Sequence, residues 1–194
     1  MREVIIFLFL FLAVFAVLLF IFNGRYIYAQ IKYAILGAPA NYPTDQINGE
    51  EELSRIPQRL LIPVIGVDAP IVLPENSDES ALLADLEKGV VLWPNSVFLG
   101  EKGTMVILGH SSAYPWYKGN YGSIFSLLSK LKESDEIFVY SAQKKYTYRV
   151  VGTEINLPES LNLEKQEKEP VLYLLSCWPI NTNWKRIAVK AILD

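Results

Sequence analysis

An all-β domain closed, or nearly closed, into a barrel and carried behind one N-terminal membrane helix is the architecture this sequence predicts. Three observations lead there. Val4 to Phe22 is an unbroken run of nineteen apolar residues. Beyond it, short apolar and β-branched runs alternate with turn residues. Only two short stretches of the folded domain have the composition of helices.

The 194 residues are 51% hydrophobic, but the apolar run inflates that figure. Without it the remainder is about 46% hydrophobic, an ordinary globular composition that suffices for one domain with its own core. At 1.5 Å per residue, nineteen helical residues span about 28 Å, close to the hydrocarbon thickness of a bilayer. The run is longer than the apolar core of a cleaved signal peptide, and no small-x-small cleavage site follows at Asn23-Gly24-Arg25-Tyr26. Residues 1–24 are therefore read as a transmembrane signal-anchor. Arg2 on one side and Arg25 and Lys32 on the other leave its orientation undecided.

Residues 25–57 are read as stalk and linker. Arg25 to Leu36 contains no proline and continues the helix as a short stalk. Gly37 to Pro57 shifts to Pro39, Asn41, Pro43, Asn48, Gly49 and the acidic run Glu50-Glu51-Glu52, the composition of a tether. The folded domain is placed at 58–194. Met105 to Leu108 and Val171 to Leu175 are continuous apolar runs suited to buried strands. Ile137 to Tyr140 and Tyr146 to Val151 flank the polar Ser141 to Lys145, a hairpin signal. Arg186 to Ile192 has the composition of a closing strand. Two helices are expected: Ala81 to Lys88, capped by Asp78 or Ser80 and stopped at Gly89, and Ile124 to Leu131, capped by Ser123.

Charge and cysteine content exclude several functions. With 18 Lys and Arg against 21 Asp and Glu, the net charge is −3, unsuited to a polyanion-binding surface. One cysteine, Cys177, and one histidine, His110, exclude an intrachain disulfide and a Cys/His zinc cage. A Cys–His catalytic pair needs only one of each. His110 follows the expected strand at Met105 to Leu108, Cys177 follows that at Val171 to Leu175, and Arg186 begins the last strand, nine residues beyond Cys177. Strand ends can aim such groups at a common cleft. There a neighbouring imidazolium or guanidinium favours the thiolate, and a cation stabilises a tetrahedral oxyanion. Each residue also has a plain alternative: a small buried cysteine, a loop histidine, a surface arginine. The order His before Cys is the reverse of papain-like proteases, and the Gln-Ala-Cys context of caspases is absent.

The chain resembles the sortases, membrane-anchored cysteine transpeptidases of bacterial surfaces. Arg59 to Ile71 is similar to the family's opening strand and turn. Gly89-Val90-Val91 through Trp93-Pro94, then Gly103 to Gly109-His110, resembles the run that ends at its catalytic histidine. Leu131-Lys132 through Asp135-Glu136-Ile137 matches a turn after the family's helix. Leu174-Leu175-Ser176-Cys177 resembles the Thr-Leu-x-Thr-Cys nucleophile motif, with Ser176 for the usual Thr and Tyr173 where Thr is frequent. Trp178-Pro179 and Asn183 lead on to Arg186. The similarity covers about 135 residues.

The resemblance implies an eight-stranded sortase-like barrel with short helices, and a catalytic set of His110, Cys177 and Arg186. It implies substrate contacts at Ser176 and Trp178 and a site without metal or organic cofactor. The substrate would be a secreted protein with a C-terminal signal like Leu-Pro-x-Thr-Gly. Cys177 would form a thioacyl intermediate, which an amine from a cell-wall precursor or a pilin lysine then resolves. The catalytic domain would lie outside the cytoplasm on a single-pass anchor. Some sortases bind calcium through acidic loops; Glu154, Glu159 and Glu164 lie between expected strands and are read here as a solvated loop. Two other outcomes stay open in the sequence: a non-catalytic barrel that binds peptide or glycan, and a cysteine hydrolase that releases its substrate.

Overall fold

The computed structural model describes residues 2–36, 55–75, 78–114, 117, 119–142, 144–161 and 167–194. Most of the expected tether, and Glu164 of the acidic loop, lie outside them. The first element, α1, is a continuous helix over Arg2–Leu36, about 52 Å long at helical rise. It passes through 24–25 without a break, so the stalk does extend the helix. Among the described residues no helix is long and apolar enough to cross a membrane. The N-terminal apolar run is found as a helix, within Arg2–Leu36.

Eight strands follow: β1 (Arg59–Ile62), β2 (Val67–Val72), β3 (Val90–Leu92), β4 (Gly103–Leu108), β5 (Glu136–Ser141), β6 (Lys144–Asn156), β7 (Pro170–Trp178) and β8 (Lys185–Leu193). They close into a barrel in the order β1-β2-β3-β4-β7-β8-β6-β5. The all-β expectation is met, and every strand run read from the sequence lies within one of these elements. Closure gives every strand a neighbour on both sides. The pairings are antiparallel except for β2 with β3 and β4 with β7.

Side chains alternate across each strand, and this splits the apolar residues of β4, β7 and β8 between two faces. Met105, Ile107, Leu172, Leu174, Ile187, Val189 and Ala191 belong to the main core inside the barrel. Val106, Leu175 and Ala188 form a second cluster on the outer face, with Trp93, Leu108, Leu161 and Tyr173 packed against it.

Both helix expectations need correction. α2 runs over Glu79–Asp85, earlier than expected, and ends in a tight turn where Glu87 and Lys88 donate to Ala84 and Asp85. Gly89 does not cap this helix in a left-handed conformation. It admits the carbonyl of Pro70, which a Cβ would strike. Ile124 to Leu131 forms consecutive turns and a 3-10 helix at Leu128–Lys130. The α-helical ladder loses because Phe125 N–H is committed to the carbonyl of His110 at 2.9 Å, while Ile124, Ser126, Leu128 and Lys130 each bond three residues back.

Candidate active site

The site is built on the parallel pair β4 and β7. Their register runs from Gly103 opposite Pro170 to Leu108 opposite Leu175. Two further bonds carry the alignment past the end of β4. Gly109 N–H donates to Leu175 at 3.1 Å, and the buried hydroxyl of Ser176 donates to the carbonyl of Gly109 at 2.7 Å. Continuing the register places His110 beside Cys177, on backbones about 4.8 Å apart. On the other flank, Cys177 pairs directly with Arg186 of β8, a position that brings Cβ atoms within about 5 Å. Residues from three separate strand ends therefore share one rung of the barrel.

Alternation fixes the face. His110 continues the series Val106, Leu108; Cys177 continues Tyr173, Leu175; Arg186 precedes Ala188. All three fall on the outer face, at the end of the second apolar cluster. Each is half-buried, as a group that must be desolvated yet reached by substrate should be.

Ser176 and Trp178 belong to the opposite, inward series. Ser176 is 3% exposed, and the ring of Trp178 packs against the main core. Ser176 ties the backbone just before His110 to that just before Cys177, a task a hydroxyl performs whether Ser or Thr carries it.

The loop after β4 completes the setting of His110. Gly109 has no side chain because a Cβ would enter the Phe125 ring, and Phe125 also holds the His110 carbonyl. Asn181 N–H donates to the Ser112 hydroxyl at 2.9 Å, tying the β7–β8 loop to this segment. Burial pushes the His110 pKa below the ordinary histidine value, and the Glu87 carboxylate opposes that shift. Arg186 donates from Nη1 to the carbonyls of Asn183 and Lys185, at 2.9 and 3.0 Å. Among the described residues, its Nε and Nη2 have no partner. The guanidinium is thus braced through one nitrogen, with donors left for a substrate oxygen.

A stability prediction follows from the histidine. A folded-state pKa below the unfolded value gives stability that is complete above the unfolded pKa, near 6.5, and lost as pH falls through the folded pKa. Thermal melts from pH 7.5 to 5 should show a steeper loss for the wild-type chain than for His110→Gln. His110 is the only histidine, so equal slopes would show its ring to be solvated.

The family model for the sortase domain matches residues 60–194. The chain belongs to the sortase family. It is 24% identical over 142 residues to sortase A of Bacillus anthracis, covering 73% of this chain and 61% of that protein. It is 27% identical over 123 residues to sortase D of Bacillus subtilis, covering 63% of this chain and 54% of that one. The chain thus spans less than two thirds of the length of either relative. The crystal structure of sortase C-1 from Actinomyces oris superposes with a TM-score of 0.61 at 21% identity, over 88% of this chain and 98% of that one, a likeness of fold.

In this sortase the calcium question concerns Glu154, Glu159 and Glu164. Glu154 accepts from Asn156 at 3.3 Å, and no metal-holding group of three His, Cys, Asp or Glu occurs among the described residues. Sequence reasoning missed Phe125, Tyr117 and Glu87. Phe125 fell inside the helix expected over Ile124 to Leu131, and Tyr117 belonged to no motif. The only signal was the spacing of glycines, at 109, 119 and 122, around the one histidine.

Proposed function

We propose that this sortase is a cysteine transpeptidase that cleaves a C-terminal Leu-Pro-x-Thr-Gly-like signal of secreted proteins and transfers the product to an amine. The observation that carries this reading is the shared rung of His110, Cys177 and Arg186 on the outer face. It offers a nucleophile, an acid–base group and an anion stabiliser side by side. The Cys177 thiolate attacks the carbonyl carbon before the scissile bond, and charge moves to the carbonyl oxygen beside Arg186. Collapse of that adduct breaks the C–N bond, and the leaving amine takes its proton from His110. Burial favours the neutral ring, so the imidazolium is stabilised chiefly while the thiolate or the oxyanion stands next to it. In the second half, an incoming amine attacks the thioester and gives a proton to His110. The C–S bond breaks and the thiolate returns.

The acceptor is an amine of a cell-wall precursor or of a pilin. α1, with its apolar Val4 to Phe22, serves as a single-pass anchor that leaves the barrel outside the cytoplasm. No step calls on a metal or an organic cofactor.

The test uses the full chain in detergent micelles with Leu-Pro-x-Thr-Gly peptides, with and without an added amine, followed by mass spectrometry. A peptide-sized thioester adduct and an amine-dependent ligation product are expected. An adduct that yields only free acid in the presence of amine would make the enzyme a hydrolase, and binding without any adduct would make it a binding barrel. Protease added to intact cells should remove the barrel while a cytosolic marker survives; protection until lysis would refute the surface location.

A further inference from the structure

Tyr117 stands in an unusually prepared place. Its ring meets that of His110 at a centroid distance of 5.6 Å and an interplanar angle of 86°, an edge-to-face contact. Its hydroxyl donates to the carbonyl of Leu86, at the end of α2, at 2.9 Å. Two glycines make room for it. A Cβ on Gly119 would come within 2.7 Å of the ring and of the Glu87 carbonyl. One on Gly122 would come within 2.8 Å of the ring and 2.6 Å of the Ala113 methyl. Tyr117 is therefore packed against His110, Gly119 and Gly122 and pinned to the end of α2.

We propose that Tyr117 is the positioning residue for His110. It fixes the imidazole plane beside Cys177 and shields one side of it from water through a brace whose far end is α2. The catalytic part of this inference rests on the reading of His110 as the acid–base group; the brace itself does not. Tyr117 touches neither the nucleophile nor the reacting atoms in this role, and acts through the histidine alone. The charged and titratable groups around His110 are Glu87, which acts on it from the α2 turn, and Cys177 and Arg186, which follow it along the rung on β7 and β8. Both Tyr117 variants leave these groups in place, so wild type and variant titrate beside the same neighbours. With the shield removed, water returns to the imidazole and favours its charged form.

The experiment exploits the single histidine. The full chain in micelles, labelled with ¹³C in the histidine ring, gives one set of ring signals whose pH titration belongs to His110. In the wild type these signals should be displaced by the neighbouring tyrosine ring, and their midpoint should lie below the ordinary histidine value. Tyr117→Leu keeps apolar bulk but removes ring and hydroxyl; the displacement should vanish and the midpoint should rise. Tyr117→Phe removes one oxygen, so it folds even if the leucine variant does not. It should keep most of the displacement while the signals broaden as the ring loses its anchor on Leu86. Single-turnover acylation should slow by about tenfold in Tyr117→Leu with KM nearly unchanged, the mark of lost orientation rather than lost binding. A His110 titration and shift unmoved in both variants would overturn the proposal. If the signals move as expected but even the wild type forms no thioester, the brace stands and the transpeptidase reading falls.

Discussion

Cys177→Ala should fold normally and form no thioacyl adduct with any peptide. The loss should be complete because Cys177 is the only cysteine in the chain, and no other side chain on the rung is a nucleophile of comparable strength at neutral pH. Stability should barely change. The side chain lies on the outer face and is half-buried, and removal of one sulfur there leaves no enclosed cavity. The cost should stay within about 1 kcal/mol, against the 2–5 kcal/mol expected for Leu174→Ala inside the barrel. Intact-mass measurement after incubation with peptide, together with a thermal melt, separates the roles. A surviving adduct would move the nucleophile elsewhere. A collapsed melting temperature would make Cys177 a packing residue.

Five of the eight strands, β4 to β8, were legible because each had a composition and a boundary of its own. Met105 to Leu108 and Val171 to Leu175 announced themselves as apolar runs, and Ser141 to Lys145 as a polar turn. What joins them was not legible. The parallel pairing of β4 with β7 connects residues 67 apart, and no local pattern encodes that contact. Yet it is this pairing that sets His110 beside Cys177. The resemblance to sortases supplied the association without the physical cause, which is the ladder extended by Gly109 and Ser176. The failures have the same origin. Ile124 to Leu131 has helical composition, but Phe125 is claimed by the His110 carbonyl, a tertiary demand that outweighs propensity. Gly89 looked like a helix stop and proved to be a point of close approach to Pro70. The length of β6, which runs on to Asn156 past its irregularity between Val150 and Gly152, follows from its need to pair with the start of β8. That extension braces the strand carrying Arg186, whose Cα partner on β6 is Asn156.

Arg186→Ala should lower the rate of acylation by about 10²–10³, the cost of removing one oxyanion donor in other enzymes. Peptide binding should weaken far less, because the carbonyl oxygen gains most of its charge only in the transition state. The geometry supplies the reason. Cys177 and Arg186 are direct cross-strand partners, so the oxyanion formed by attack of the sulfur arises within reach of the guanidinium. The bonds from Nη1 to Asn183 and Lys185 orient the group before substrate arrives, which limits the reorganisation the reaction requires. Arg186→Lys keeps the charge but loses the planar fork that makes this bracing compatible with a further contact. It should therefore retain only part of the activity. Lys185 provides the control, since alternation places it on the other series of β8, opposite Trp178. Lys185→Ala should acylate at close to the wild-type rate. Single-turnover acylation of the three variants decides the matter: equal, small losses in Arg186→Ala and Lys185→Ala would reduce Arg186 to a solvated strand residue and leave the oxyanion to other donors.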